Sequence, residues 1–145
     1  MKTMKDSYDA DNATGINHEG PRANMPVRRL TATSIIGDDV ENRVGEKLGT
    51  IDNLMINIDS GEIEYAVLEF GDFAGIGGKL FAVPFGELTV QPDKKVFILD
   101  RDKEYLKKSP GFEKTHWPDT NDRGTSRYFE DVTTYYRPVF PFPFD

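Results

Sequence analysis

Apolar and polar residues alternate through the middle of the chain. Leu54, Ile56 and Ile58 share one parity while Met55 and Asn57 take the other, the period-two pattern of a strand. Asp59-Ser60-Gly61 interrupts the pattern, and Ile63, Tyr65 and Val67 resume it, which predicts a β-hairpin. Ile51 falls on the opposite parity from Leu54, with Gly49 close by, so a bulge or strong bend is expected in the first strand. Lys79-Leu80-Phe81-Ala82-Val83 is a further β-prone run stopped by Pro84, and Pro84-Phe85-Gly86-Glu87-Leu88 predicts a single helical turn. Residues 89–91 and 96–99 flank Pro92-Asp93-Lys94-Lys95, a second hairpin. Asp100 or Asp102 is placed to cap a short helix through Lys108, ended by Ser109-Pro110-Gly111.

Short strands separated by regular turn signals predict an all-β fold, a small and highly twisted barrel over residues 28–108. In Tyr65-Ala66-Val67-Leu68, Phe81-Ala82-Val83 and Val96-Phe97-Ile98-Leu99 both parities are apolar. A barrel needs only its inward face apolar, so the outward face is expected to be covered by the C-terminal extension, a second copy or a partner. Residues 1–27 lack apolar periodicity and are rich in Asp, Asn and Gly, the composition of a flexible arm. Residues 109–145 form an aromatic, Pro-rich extension.

Composition narrows the function. There is no cysteine, which removes thiolate chemistry and disulfides. No apolar run approaches the roughly 20 residues of a membrane helix, and the N-terminus has no secretory leader, so a cytoplasmic location without membrane insertion is expected. The formal net charge is −7, and residues 28–108 hold 11 Lys/Arg against 15 Asp/Glu without a basic stripe. Binding to nucleic acid is therefore not expected.

Candidate chemistry is sparse. In Gly71-Asp72-Phe73-Ala74-Gly75-Ile76-Gly77-Gly78-Lys79, Phe73 stands where a phosphate-binding Walker loop needs its first glycine, and Leu80 replaces the magnesium-binding Ser/Thr. The dinucleotide pattern fails too, because its third glycine would fall at Leu80. The stretch reads as a loop between strands, and Phe73 and Ile76 imply that it packs against something. His18 and His116 are the only histidines, and nothing in the sequence brings them together for a metal or a nucleophile. The carboxylate pairs Asp38/Asp39, Glu62/Glu64 and Asp100/Asp102 fall in turns or on solvent-facing parity. No catalytic residue, cofactor or metal is expected.

From Arg28 to about Asp119 the chain resembles the PRC-barrel domain family. The carrying residues are Thr33-Ser34-Ile35-Ile36-Gly37, Val40-Glu41-Asn42, Gly45-Glu46-Lys47-Leu48-Gly49 and Asp52-Asn53-Leu54-Met55-Ile56-Asn57. They continue with the Gly71 to Lys79 loop, Val83-Pro84-Phe85, Pro110-Gly111-Phe112 and Trp117-Pro118-Asp119. The resemblance implies a small β-barrel without chemistry of its own. Such domains occur in the photosynthetic reaction-centre H subunit, in a ribosome-maturation factor and as stand-alone proteins. Lacking the membrane helix of the first and the extra barrel of the second, this chain looks like a stand-alone member, a class that generally docks or assembles.

The last 18 residues hold seven aromatics: Tyr128, Phe129, Tyr135, Tyr136, Phe140, Phe142 and Phe144. Disordered tails are poor in rings, so a docked tail is expected. Phe140, Phe142 and Phe144 alternate with Pro141 and Pro143, so an extended tail could pair along one edge only. Its groove would lie on the chain's own barrel or on a neighbour. The expected function is a non-enzymatic interaction or assembly module that binds itself, as a homodimer or larger, and a further protein. Phe73, Ile76, Phe81, Trp117, Tyr135, Tyr136, Phe140, Phe142 and Phe144 are the expected contact residues. The alternative is a small-molecule or ion-binding regulatory barrel with the Gly-rich loop as its lid.

Overall fold

The computed structural model describes residues 4–70, 79–91, 94–118 and 127–137. Helix α1 (Met4–Thr14) and the short α2 (Ala32–Ile35) precede strands β1 (Asp39–Glu41), β2 (Lys47–Asn57), β3 (Glu62–Glu69) and β4 (Lys79–Pro84). A 3-10 turn, Phe85–Glu87, leads into β5 (Leu88–Gln91) and β6 (Val96–Leu99), followed by α3 (Lys103–Lys108), β7 (Gly111–Glu113) and α4 (Arg127–Tyr136). The strands form one seven-stranded sheet in the order β5-β6-β1-β2-β3-β4-β7. Neighbours are antiparallel except for β1 and β6. Among the described residues β5 and β7 stand at the two ends of that order, and no ladder joins them.

Local sequence accounts for most of these elements. Gly61 takes φ +81° in the β2–β3 turn, a conformation that costs glycine no Cβ clash. The register of β2 against β3 shifts between Ile51 and Asn53, where the parity of the sequence breaks, and again between Met55 and Ile56. Gly49 lets the bent strand approach β3 closely, since a Cβ there would lie 2.5 Å from the Glu69 carbonyl oxygen. Asp102 caps α3 by accepting a hydrogen bond from the Tyr105 N–H at 2.8 Å.

The core runs through the centre of the sheet. Tyr65, Ala66, Val67, Leu68, Leu80, Phe81, Ala82 and Val83 are all fully buried. Both faces of β3 and β4 are therefore covered. One cover is the chain's own α4, whose Val132 and Tyr136 join the core. The rings of Tyr128 and Phe129 lie 5.9 and 5.8 Å from that of Tyr65. Of the three covers left open by the sequence, the C-terminal extension is present, and over residues 127–136 it is a helix. Apolar residues at 128, 129, 132, 135 and 136 make one helical stripe that fits against the sheet.

The N-terminal residues, expected as a flexible arm, carry local structure. Beyond α1, the Asn17 N–H donates to the Met25 carbonyl at 2.9 Å and the Asn24 N–H to the Asn17 carbonyl at 2.7 Å. Asn12 Oδ1 accepts from both the backbone N–H and the hydroxyl of Thr31, at 2.9 and 3.0 Å. Polar side chains replace the missing apolar surface, an arrangement that hydrophobic periodicity does not register. Beneath this region Lys95 is buried with its Nζ 2.9 and 2.7 Å from the two carboxylate oxygens of Asp38, and it also donates to the Ser34 carbonyl.

Candidate interaction surface

The expected contact residues divide into three groups. Phe81 and Tyr136 belong to the core, at 0% and 3% exposure, so neither has the partner-facing position expected of it. Phe81, paired with Leu68, lies on the sheet face opposite to Tyr65, against which the α4 rings pack, and Tyr136 is part of α4 itself, joining the core from that helix. Trp117 and Tyr135 are half-buried, Trp117 against Phe112 at 5.0 Å between ring centroids and Tyr135 against Tyr105 at 4.7 Å. Phe73, Ile76, Phe140, Phe142 and Phe144 lie outside the described residues.

Apolar side chains left in water lie elsewhere among the described residues, at Val44, Tyr8, Met25 and Ile36 singly and at Ile56 and Ile58 together. Ile58 is 91% exposed and Ile56 45%, both at the end of the β2–β3 hairpin that runs past the packed part of the sheet. Ile56 is paired across the ladder with Ile63, which is half-buried. This end of the sheet carries charge of one sign. Asp59, Glu62 and Glu64 stand there and residues 48–70 contain no Lys or Arg, whereas Asp52 and Glu69 lie toward the opposite end of the hairpin, where Glu69 pairs with Thr50. Among the described residues only Glu69 of these is answered in an ion pair, by Lys114 at 2.9 Å. The sequence displayed both features, but which apolar positions stay uncovered depends on how far α4 reaches.

Among the described residues the two histidines have separate local partners. No group of three or more His, Asp or Glu able to hold a metal exists among the described residues. His18 is held by Asp11, its Nδ1 2.8 Å from Oδ1, while His116 is exposed beside Thr115. Asp38 has its pKa raised because burial outweighs the neighbouring Lys95. Tyr105, Tyr135 and Tyr136 are also raised, first by burial where α4 packs against α3. Lys114 is raised chiefly by its hydrogen bond to Glu69. Burial thus leads the shifts at Asp38 and the tyrosines, and a surface hydrogen bond leads the one at Lys114. No helix among the described residues is long and apolar enough to cross a membrane.

A bulged, mostly antiparallel sheet of short strands with one short capped helix defines a small all-β domain. The chain belongs to the PRC-barrel domain family, whose model matches residues 28–106. No curated protein matches the chain. Both α1 and α4 fall outside the matched residues.

Proposed function

We propose that this chain is a non-enzymatic interaction module that docks a partner protein on the end of the β2–β3 hairpin. In this reading the bulged sheet curls into a small barrel that serves as a rigid mount. The exposed pair Ile56 and Ile58 within an acidic frame carries the proposal. Exposed apolar side chains ringed by charge fit a partner surface that is itself apolar and basic. A second copy is disfavoured at this site, because two like-charged hairpin ends would face each other. Self-association through the outer sheet face loses its main support once α4 covers that face. Association through residues 138–145 remains part of the proposal.

The test is affinity capture with the wild type and with the Ile56→Thr/Ile58→Thr variant, followed by quantitative mass spectrometry and light scattering. Both side chains are exposed, so the melting temperature should hardly change. A partner lost with the substitutions, and released by raised salt, supports the proposal. Equal capture by both proteins overturns it. A wild-type dimer that the substitutions dissociate would identify the partner as a second copy.

The ligand-binding alternative keeps one supporting observation, a cleft at the N-terminal end of the chain. Its expected lid, residues 71–78, lies outside the described residues.

A further inference from the structure

The segment that folds back from α1 toward α2 encloses a cleft of about 540 Å³, lined by α1 residues and by the chain from Arg22 to Thr31. That volume lies within the range of small-molecule sites. Its walls are tied together: Asn12 on α1 holds Thr31 through two hydrogen bonds, and an isolated bridge joins Ile16 to Pro26. Arg22, Arg28 and Arg29 all line it.

These arginines differ from the cations of the sheet. There, Arg43 is matched with Asp100, Lys47 with Asp39, Lys95 with Asp38, Arg101 with Glu87 and Lys114 with Glu69. None of the three cleft arginines is paired with a carboxylate among the described residues. The single carboxylate in the lining, Asp11, is already engaged, because its Oδ1 accepts from the backbone N–H of His18 at 3.0 Å and contacts His18 Nδ1 at 2.8 Å. A chain with a formal net charge of −7 thus gathers three arginines without a carboxylate partner among the described residues along one concavity. Beside them stand Tyr8 and Met25, 51% and 54% exposed, and the half-buried Leu30.

From this arrangement we propose that the cleft is a binding site for a small organic anion, a phosphate or carboxylate ester or acid carrying an aromatic or apolar body. The guanidinium groups supply forked donors that match phosphate or carboxylate oxygens. Tyr8, Met25 and Leu30 supply the surface that the body covers. The site is independent of the β2–β3 hairpin, and Tyr8, Arg22 and Met25 fall outside the family match.

The probes are phenyl phosphate, inorganic phosphate and phenol, titrated into the full isotope-labelled chain while its amide resonances are followed. Phenyl phosphate should shift the amides of α1 and residues 22–31 saturably, and bind more tightly than inorganic phosphate. Phenol should not saturate over the same range. Arg28→Gln combined with Arg29→Gln should weaken phenyl phosphate by about tenfold or more, the loss of about 1.4 kcal/mol or more of charge-assisted hydrogen bonding. Arg137→Gln, on the far end of the chain, should leave it unchanged. Because the substituted arginines are exposed, the spectra themselves report that the fold is retained. No saturable shift with phenyl phosphate overturns the proposal, as does equal binding by phenol or by inorganic phosphate. Affinity that survives the paired substitution, or that falls equally with Arg137→Gln, also overturns it.

Discussion

Tyr105 and Tyr135 exchange hydroxyl-to-carbonyl hydrogen bonds: the Tyr105 hydroxyl donates to the Tyr135 carbonyl at 2.8 Å, and the Tyr135 hydroxyl donates to the Tyr105 carbonyl at 2.6 Å. The pair fastens the end of α4 to α3, with the two ring centroids 4.7 Å apart. At the other end of α4 the Tyr128 hydroxyl donates to the Pro110 carbonyl at 2.9 Å. The helix is thus held at both ends by tyrosines that pack with one part and hydrogen-bond with the other.

Removing either hydroxyl of the exchanged pair should cost about 0.5–1.5 kcal/mol, the net worth of one hydrogen bond. Tyr105→Phe and Tyr135→Phe, measured singly and together by urea unfolding, should show coupling, because the rings that orient both bonds are shared. Strict additivity would mean that the two bonds form independently. Tyr105→Ala should cost more, about 3–5 kcal/mol on the scale of aromatic truncations, since Tyr135 and Tyr136 both stack on that ring.

Tyr136 presents the opposite case. Its hydroxyl is buried without a hydrogen-bond partner among the described residues, and burial raises its pKa. An unsatisfied buried hydroxyl costs about 1–3 kcal/mol. Tyr136→Phe should therefore leave stability unchanged or raise it, whereas Tyr136→Ala should lower it sharply. A clear loss of melting temperature in the Phe variant would show that the hydroxyl has a partner after all.

Asp38 gives a pH dependence whose sign comes from its environment. Its folded pKa lies above 3.8, first because burial disfavours the charge, with Lys95 pulling the other way. For a carboxyl raised on folding, the stabilising contribution is complete below the unfolded pKa and is lost as pH rises through the folded value. Asp38→Asn mimics the protonated form and keeps an acceptor for Lys95. It should be no less stable than the wild type at neutral pH. As pH falls through the carboxylate range, the wild type should gain relative to the variant. A wild-type advantage at neutral pH that shrinks on acidification would show instead that the ion pair outweighs its desolvation.

How much of the fold was legible in the sequence depends on the range of the causes. The turn at Asp59-Ser60-Gly61, the bulge after Ile51 and the Asp102 cap arise within a few residues, and each stands where local pattern placed it. Helix α4 is also written locally, as apolar residues one helical face apart, although by aromatic count alone the segment reads only as a docked tail. The N-terminal fold rests on Asn12 reaching Thr31, 19 residues on, and the arginine cleft exists only after that fold-back. Neither has a periodic signature. The hairpin's exposed isoleucines were visible as strand residues, yet their exposure is set by where the helical cover stops.

The extent of that cover makes the last prediction. Two truncations separate the helix from the tail beyond it: one removes residues 138–145, the other removes residues 127–145. The shorter deletion leaves α4 complete, with Val132 and Tyr136 in the core and the Tyr105–Tyr135 exchange intact. It should unfold with nearly the wild-type midpoint, and any loss of association in it would belong to Phe140, Phe142 and Phe144. The longer deletion strips the cover from Tyr65 and β4 and opens a contiguous apolar face. Burying each large apolar side chain is worth about 1.5–3 kcal/mol, so losing several at once removes much of the roughly 5–15 kcal/mol that holds an ordinary domain. That protein should aggregate or unfold at ambient temperature, and should bind a dye for exposed apolar surface. A stable monomer after the longer deletion would mean that the sheet closes over its own outer face without α4. Unfolding after the shorter one would place residues 138–145 within the core.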